Sequence, residues 1–282
     1  HGVLVVNLYT AVCVPHLRDV LPALGEVTGV SDMVLRLARN VAAGDTLGLA
    51  DGDVIGGSPP DGPVRFREGE LWFGADVRHG QKTGHFLDQR ANRLMVGSMA
   101  AGRDVLDVFA STGGFSVHAA AGGARSVLAV DASAPTLAAA EVNMAFNAHR
   151  AEVAACRFST RAGDAFEVLA ELGRNDEQFD LVVVDPPSFA QRHADVAGAL
   201  RAYSRLTRLA LDVIRPGGVL VQASCSSRVT PDDFFDTVTA AAAAAGRRLH
   251  EIQRTGHDVD HPVGFPEGEY LKAGFWSVDP DR

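Results

Sequence analysis

The chain has 282 residues, of which 46% are hydrophobic and 22% are charged, and its formal net charge is −9. This length accommodates one large domain with a smaller companion, and the composition excludes an intrinsically disordered protein. No apolar stretch approaches the roughly 20 residues that cross a bilayer, and no signal peptide is evident, so no membrane partner is predicted. The acidic charge argues against a general nucleic-acid coat but leaves room for a local basic surface.

Three cysteines, Cys13, Cys156 and Cys225, stand far apart in the sequence. Their odd number and wide spacing argue against a disulfide framework and predict a reducing, cytoplasmic location. Because the sequence has no Cys and His cluster at zinc spacing, no metal site is predicted. Arginines at helical spacing, such as Arg201 and Arg205, are explained equally well as solvated surface residues and as a basic face for RNA.

Residues 1–78 are predicted to form a small α/β domain. The β-branched run at 3–8 predicts a strand, and the leucine and valine spacing over 15–25 predicts a helix. Residues 44–63 are rich in Gly, Asp and Pro and are predicted to be loops. Two apolar runs within 65–73 flank Glu-Gly-Glu and predict a hairpin. Residues 79–98 are then expected to connect this domain to the next.

From about residue 99 strands and helices alternate, so residues 99–282 are predicted to form a second domain. The predicted helices cover about 135–147 and 197–214, and a last helix begins after Thr230. The predicted strands are residues 105–109, 127–131, about 153–158, 181–184, 219–223, 249–254 and 270–278. This alternation predicts an α/β fold with a mostly parallel, doubly wound sheet.

A glycine turn follows the first of these strands, in the segment Asp107-Val-Phe-Ala-Ser-Thr-Gly-Gly-Phe-Ser116. Its glycine backbone allows a ligand to approach closely, and the helix start offers unpaired N–H groups. The segment lacks the G-x-G-x-x-G pattern of a dinucleotide site. The acid before the turn suits a ligand with a cationic amino group, as in S-adenosylmethionine. We therefore predict that Asp107, Ser111, Thr112 and Gly113 bind this cofactor.

Two further acids end the next two strands. Asp131 lies 18 residues beyond Gly113, close to the spacing at which an acid binds a ribose diol, and Ser133 follows it. Asp164 is placed to accept a hydrogen bond from an adenine amino group. A strand-terminal Asp is often only a helix cap, but three acids at successive strand ends beside a glycine turn favour a cofactor site.

Two short segments far apart in sequence are predicted to meet in one crevice. Asp185-Pro186-Pro187-Ser-Phe189 follows one apolar strand, and Ser-Cys225-Ser follows another. Because ligands bind beyond the carboxyl ends of parallel strands, a carboxylate, an apolar wall and a thiol converge there.

This combination suits methylation of a pyrimidine at carbon 5. Carbon 5 of cytosine is a poor nucleophile, and addition of a thiolate at carbon 6 converts the ring to an enamine that accepts the methyl group. Cys225 is the predicted nucleophile, although a buried small hydrophobe is the ordinary role of a cysteine. A thiol titrates at about 8.5, so a helix N-terminus or nearby cation must favour the thiolate. Asp185 is predicted to bind the polar edge of the base, and Pro186, Pro187 and Phe189 to line its face.

With these motifs, the chain resembles the ribosomal RNA cytosine-C5 methyltransferase I family of class I S-adenosylmethionine-dependent enzymes. The resemblance rests on five blocks in family order, at residues 80–90, 107–116, 185–189, 224–226 and 260–272. It implies a Rossmann-like methyltransferase sheet with an antiparallel final strand, large-subunit ribosomal RNA as the partner, and a homodimer. It also extends the cofactor site to Gln89 and Arg90 and makes His261 a candidate for the substrate site.

The chain departs from the family at two places. Family members begin with an RNA-binding PUA domain, and nothing in this sequence corresponds to it. The second departure is His85, which stands where the family has an aromatic residue. Apart from the resemblance, the chain starts at His1 rather than Met, so we expect that its natural start is missing.

Several alternatives stay open at the level of sequence. Asp-Pro-Pro-aromatic blocks also serve N-methyltransferases, which need no cysteine. A nicotinamide oxidoreductase and a catalytically silent RNA-binding module are further alternatives. The base that removes the proton from carbon 5 is not identified, with water, Asp185 and His261 as candidates.

Overall fold

The computed structural model describes residues 2–80, 85–265 and 268–280. The chain divides into two compact units between Phe86 and Leu87. Parts of two sequence blocks discussed above, Gln81–Gly84 and Glu267, lie outside the described residues. No helix in the described part of the chain is long and apolar enough to cross a membrane.

The first unit contains a three-stranded sheet and a separate hairpin. In the sheet, β1 pairs with β2 in parallel and β2 with β3 antiparallel. The hairpin joins β4 to β5, with Phe66 opposite Phe73. The strands are β1 Val3–Leu8, β2 Asp32–Leu37, β3 Val54–Gly56, β4 Val64–Glu68 and β5 Leu71–Ala75, and the helices are a 3-10 helix Ala11–His16, α1 Leu17–Thr28 and α2 Arg39–Ala42.

Two predictions for this unit need correction. The helix expected from residue 15 begins as a 3-10 helix and becomes α-helical only at Leu17, continuing to Thr28. The segment 44–63, predicted to be loops, contains the short strand β3. No sequence pattern predicts this strand, because it has only three residues and only Val54 and Gly56 pair with β2, on either side of an irregularity.

His85 occupies a buried aromatic cluster in the first unit. Its Nε2 lies 3.3 Å from a carboxylate oxygen of Glu68, which is also buried. The ring centroid is 5.0 Å from that of Phe66 and 4.7 Å from that of Phe73. The imidazole thus packs as an aromatic side chain, which explains how His replaces the aromatic residue that the resemblance led us to expect.

Seven strands of the second unit form one sheet within the described residues, in the order β11-β12-β10-β9-β6-β7-β8. Strands β10, β9, β6, β7 and β8 run parallel to one another, whereas β12 runs antiparallel to its neighbours β10 and β11. This confirms the predicted fold class, including the antiparallel final strand. The strands are β6 Asp104–Val108, β7 Ser126–Asp131, β8 Arg157–Ala162, β9 Phe179–Val184, β10 Ile214–Ser224, β11 Leu249–Thr255 and β12 Lys272–Val278.

Helices cover both faces of this sheet. Because successive strand residues point to opposite faces, Leu106 and Val182 join one core cluster, whereas Val105 and Leu181 join the other. The first cluster includes side chains from the helices at residues 165–174, 196–212 and 231–244, and the second includes side chains from the helices at 90–99 and 114–121. The helices are α3 Arg90–Met99, α4 Gly114–Ala121, α5 Ala134–Phe146, α6 Ala151–Ala155, α7 Ala165–Arg174, α8 Val196–Asp212 and α9 Pro231–Ala244, with 3-10 helices at Leu87–Gln89 and His193–Asp195.

Three boundaries in this unit differ from the predictions. The strand predicted over 153–158 is wrong in its first half, where α6 ends at Ala155 and β8 begins only at Arg157. Helix α8 ends at Asp212, and residues 215–218 form an irregularity within β10. The segment 79–98, expected as a connection, contains most of α3, which belongs to the second unit.

Candidate active site

The turn after β6 has an unusual backbone. Phe109 and Ser111 have φ angles of 65° and 49°, which side-chain-bearing residues rarely adopt, and Gly113 has a φ of 76°. The turn is held by hydrogen bonds from Ala110 N to Val130 O and from Ser111 N to a carboxylate oxygen of Asp131. Such strained conformations persist where the surroundings fix them, and they cluster at ligand sites.

Gly113 provides a test of this turn. A Cβ atom at Gly113 would lie 2.7 Å from the Cβ of Ala140, so Gly113→Ala adds a steric clash to the cost of a positive φ. We expect it to lower the free energy of unfolding by about 2–4 kcal/mol. Gly217→Ala is the matched control, since Gly217 has a φ of 78° with no atom nearby, and it should cost only about 1 kcal/mol. Equal losses in urea denaturation would contradict the tight approach.

Asp107 lies near the end of β6 and is 1% exposed. One carboxylate oxygen accepts a hydrogen bond of 2.6 Å from the hydroxyl of Ser116, while the other, Oδ1, is buried without a hydrogen-bond partner. Burial raises the pKa of Asp107 to about 6. An unpaired buried acceptor is costly, so this oxygen is suited to a ligand that brings a hydrogen-bond donor.

The acids at the next two strand ends contact the backbone. Asp131 accepts hydrogen bonds from the N–H groups of Ser111 and Ser133, each at 2.9 Å. Ser133 caps α5, with its side chain accepting from Thr136 N. Asp164 caps α7 through one oxygen, Oδ1. Since a carboxylate has about four acceptor positions, these contacts leave capacity for a ligand on both acids.

Asp185 follows β9 directly and is partly buried. Its backbone N–H donates to Val108 O, which continues the pairing of β9 with β6 past the strand end. Its Oδ1 accepts a 2.9 Å hydrogen bond from Gln89 Nε2, and the amide oxygen of Gln89 in turn accepts from Asn92. Gln89 therefore orients the carboxyl group of Asp185, a contact that sequence reasoning did not assign to it.

The environment of Asp185 favours its neutral form. Burial raises the pKa of Asp185 to about 7, and the negative charges of Asp88 and Asp107 contribute to the shift. Asp88 is itself buried and accepts a 2.7 Å hydrogen bond from the hydroxyl of Tyr270. A carboxyl group with a pKa near neutrality is suited to transfer a proton at physiological pH.

The thiol of Cys225 lies beside the residue that follows Asp185. Cys225 comes directly after β10 and is partly exposed, and its sulfur lies 3.8 Å from the carbonyl oxygen of Pro186. The sulfur therefore sits at the carboxyl edge of the sheet rather than in the packed core. The structure thus brings together the thiol and the carboxyl-bearing segment that the sequence predicted to converge. Cys13 and Cys156 lie on other elements, and burial raises the pKa of Cys156 to about 11.

A buried hydroxyl network joins the two segments. The Ser226 hydroxyl lies 3.1 Å from the hydroxyl of Ser188 and accepts a hydrogen bond from the N–H of Phe189. The hydroxyl of Tyr203, on α8, is 2.8 Å from that of Ser224 and 3.0 Å from that of Ser226. The two serines that flank the cysteine therefore fix its loop against the Pro-Pro segment.

The residues of the predicted apolar wall have different environments. Pro186 is buried and Pro187 is exposed. Phe189 is partly buried and its ring packs against Tyr203, with centroids 5.2 Å apart. Only part of the segment is therefore accessible, and the ring of Phe189 is held from behind by α8.

Arg90 and His261 lie in one charged cluster with two aspartates. The guanidinium group of Arg90 contacts the carboxylates of Asp258 and Asp260, at 2.7 and 3.0 Å. His261 Nδ1 lies 3.0 Å from Asp260. Arg90 thus anchors the loop that carries His261, and the cofactor contact predicted for it stays a prediction.

Comparison with protein families identifies the chain. A family model described as S-adenosylmethionine-dependent methyltransferase matches residues 51–274. The chain belongs to this family. S-adenosylmethionine is accordingly its cofactor, as the glycine turn predicted. The residues present fit this molecule, because Asp107 Oδ1 offers a buried, unpaired acceptor for its cationic amino group beside the glycine turn.

Individual relatives of this methyltransferase include two curated proteins. The chain is 46% identical over 280 residues to a ribosomal RNA large subunit methyltransferase of Deinococcus radiodurans, covering 99% of this chain and 67% of that protein. It is 36% identical over 262 residues to ribosomal RNA large subunit methyltransferase I of Tolumonas auensis, covering 92% of this chain and 64% of that protein. The chain thus spans about two thirds of the length of these relatives.

A solved structure supports the fold of the methyltransferase. It is a methyltransferase complexed with S-adenosylhomocysteine, and it superposes with a TM-score of 0.82 at 22% sequence identity. The match covers 98% of this chain and 70% of that one. At this level of identity the likeness shows the fold alone.

Three buried residues beside the site were missed from the sequence as functional candidates. They are Tyr203, Ser226 and Lys272: Ser226 belongs to the segment 224–229, and the other two form hydrogen bonds with that segment. Lys272 offered a signal, since a lysine at the start of an otherwise apolar strand is unusual. Tyr203 lies on α8 among buried residues that are mostly apolar, so its hydroxyl contacts leave no pattern in the sequence.

Proposed function

We propose that this protein methylates carbon 5 of a cytosine in large-subunit ribosomal RNA, through a covalent adduct between Cys225 and the base. The observation that carries the proposal is the position of the Cys225 sulfur, 3.8 Å from the carbonyl oxygen of Pro186, the residue that directly follows Asp185. The names of the curated relatives support RNA of the large subunit as the substrate.

The cofactor site in this proposal lies at the carboxyl ends of β6, β7 and β8. Asp107 accepts a hydrogen bond from the amino group of S-adenosylmethionine, and Ser111, Thr112 and Gly113 form the turn beside it. Asp131 and Ser133 bind the ribose, and Asp164 binds the adenine amino group. When bound, this cofactor supplies an electrophilic methyl group.

Asp107 is the cofactor contact with the clearest expected effect. Because a charged hydrogen bond is lost, Asp107→Asn should weaken S-adenosylmethionine binding by about 10- to 100-fold. Binding to the unmodified protein should also weaken as the pH falls below about 6, where Asp107 becomes protonated. Isothermal titration calorimetry tests both effects. Asp236→Asn, on the exposed surface of α9, is the control and should leave the affinity unchanged.

The chemistry assigned to this chain's residues begins at Cys225. Its thiolate adds to carbon 6 of the cytosine, and the electron pair of the ring double bond moves toward carbon 5 and the ring nitrogen. Neutral Asp185 transfers its proton to that nitrogen and so neutralises the developing charge. Carbon 5 would then take the methyl group as the bond between that group and the sulfonium sulfur of the cofactor breaks, with the electron pair staying on that sulfur. Loss of the carbon-5 proton, departure of Cys225 as a thiolate and loss of the proton on the ring nitrogen restore the aromatic ring.

Two groups are candidates for removing the carbon-5 proton. Asp185 becomes a base once it has transferred its own proton, and a water molecule beside it is an equal candidate. His261 is paired with Asp260 in the loop that Arg90 anchors, so we place it in substrate binding rather than in this step. Pro186, Pro187 and Phe189 are assigned to the face of the base.

Nucleoside analysis tests the proposed function. RNA methylated by the protein is digested and analysed by mass spectrometry, beside ribosomal RNA from cells with and without the gene. The proposal predicts 5-methylcytidine that is absent when the gene is deleted. A methyl group on a ring or exocyclic nitrogen would instead establish the N-methyltransferase alternative. Absence of any methylated product with native large-subunit RNA or its precursor particles would favour the silent RNA-binding module. The homodimer and the cytoplasmic location stay predictions.

A further inference from the structure

Lys272 is a charged residue in the interior of the protein. It is 2% exposed and begins β12, where it lies opposite Ser224 in the antiparallel pairing with β10. A lysine is almost never fully buried unless its charge is compensated. The mechanism above does not use this residue, so its retention under the active-site loop calls for an explanation.

The ammonium group of Lys272 holds the chain on both sides of the site. It donates hydrogen bonds to the carbonyl oxygens of Ser226 and Val229, each at 2.7 Å, and to that of Tyr270 at 3.1 Å. Three donors thus meet three acceptors, which is the full capacity of the protonated amine. Two of these carbonyls belong to the turn that follows Cys225, so the charge is bonded to the loop that carries the thiol.

We propose that Lys272 is a positioning residue for Cys225: its buried ammonium group fixes the turn after the cysteine and stabilises the thiolate form of that side chain. The inference rests on the proposed function only in giving the thiolate a role as nucleophile. It answers the requirement for a nearby cation that thiol chemistry at neutral pH imposes.

The charges around the two groups agree with this assignment. Burial lowers the pKa of Lys272 to about 8, and the attraction of Cys225 and Glu269 opposes that shift. Lys272 is therefore positively charged at neutral pH. Tyr203 faces the thiol from α8, and burial raises the pKa of its phenol, so it stays neutral. Asp185, on the β9 side, is neutral below about pH 7. His257 also faces Lys272, and burial lowers the pKa of its imidazole, which favours the neutral ring.

Alkylation of Cys225 tests the inference without any methyl transfer. The protein is treated with iodoacetamide over a range of pH in the absence of RNA and cofactor, and the Cys225 peptide is quantified by mass spectrometry. Exposed Cys13 in the same molecule provides the reference thiol. At pH 7 we expect Lys272→Gln and Lys272→Met to slow alkylation of Cys225 by about tenfold. Lys272→Arg, which keeps the charge, should stay within about threefold of the unmodified protein.

The glutamine variant separates charge from hydrogen bonding. Gln keeps two N–H donors but has no charge, so a purely structural role predicts that it preserves reactivity as well as Arg does. That result would overturn the inference. If the neutral variants fail to fold, as judged by circular dichroism, the pH dependence of alkylation in the unmodified protein still tests the inference. Its Cys225 must reach half-maximal alkylation at a lower pH than Cys13, and an equal or higher pH would overturn the inference.

The possible outcomes distinguish a failure of this inference from a failure of the proposed function. If Lys272 controls alkylation but Cys225→Ala retains methylation, the covalent mechanism fails and the inference stands. If Cys225 is required for methylation but its alkylation rate does not depend on the charge at position 272, the covalent mechanism stands and the inference fails.

Discussion

Cys225→Ala is expected to lower the rate of methyl transfer to RNA by about 10⁴-fold or more, because no other group replaces a covalent nucleophile. Affinity for S-adenosylmethionine should change less than about twofold, since the residues proposed to bind the cofactor lie at or just beyond the carboxyl ends of β6, β7 and β8. Single-turnover transfer of a labelled methyl group measures the first quantity, and calorimetry measures the second.

Cys156→Ala is the matched control for this substitution. Cys156 is also outside any disulfide, but it precedes β8 and burial raises its pKa to about 11. Its replacement should leave the rate within about twofold. Retention of more than a tenth of the activity by Cys225→Ala would remove the thiol from the mechanism and favour methylation of a nitrogen.

Asp185→Asn is expected to lower the rate by about 10³-fold, within the range for loss of an acid–base group. An amide still donates a hydrogen bond but cannot deliver or recover a proton. In the unmodified protein the rate should fall as the pH rises above about 7, where Asp185 ionises. This alkaline decline should be absent in the variant, and a decline that persisted unchanged would assign it to another group.

Stability provides an independent measurement on Asp185. Its folded-state pKa of about 7 is above the ordinary value of 3.8, so its contribution is fully present below about pH 4 and is lost as the pH rises through 7. Asp185→Asn should therefore be more stable than the unmodified protein at pH 8, by about 1–4 kcal/mol, with the difference disappearing near pH 4. Urea denaturation at the two pH values measures this, and Asp236→Asn should show no such dependence.

The sequence allowed the sheet and its ligand edge to be predicted because both leave local patterns. Each apolar strand can be recognised by itself from the acid at or just after its end, as with Asp131 and Asp185, and the parallel arrangement brings these ends to one edge of the sheet. The short helix α6 before β8 was missed because it has only five residues, and the spacing of its apolar residues fits a strand as well as a helix.

The contacts that organise the site were not predictable, because they join residues distant in sequence. Gln89 orients Asp185 across 96 positions, and Lys272 reaches Ser226 across 46. Neighbouring residues can also differ in role. Gln89 contacts a predicted catalytic group, whereas Arg90 pairs with Asp258 and Asp260. Side-chain direction at the start of α3 decides between these outcomes, and no local pattern encodes it.

RNA that contains 5-fluorocytidine tests the covalent step most directly. Fluorine at carbon 5 cannot be removed as a proton, so after methyl transfer the sulfur cannot leave and the adduct accumulates. We expect that incubation with S-adenosylmethionine yields a stable protein–RNA complex whose modified peptide contains Cys225, and that Cys225→Ala forms none. A product methylated on nitrogen with no adduct, or an adduct on another residue, would contradict it.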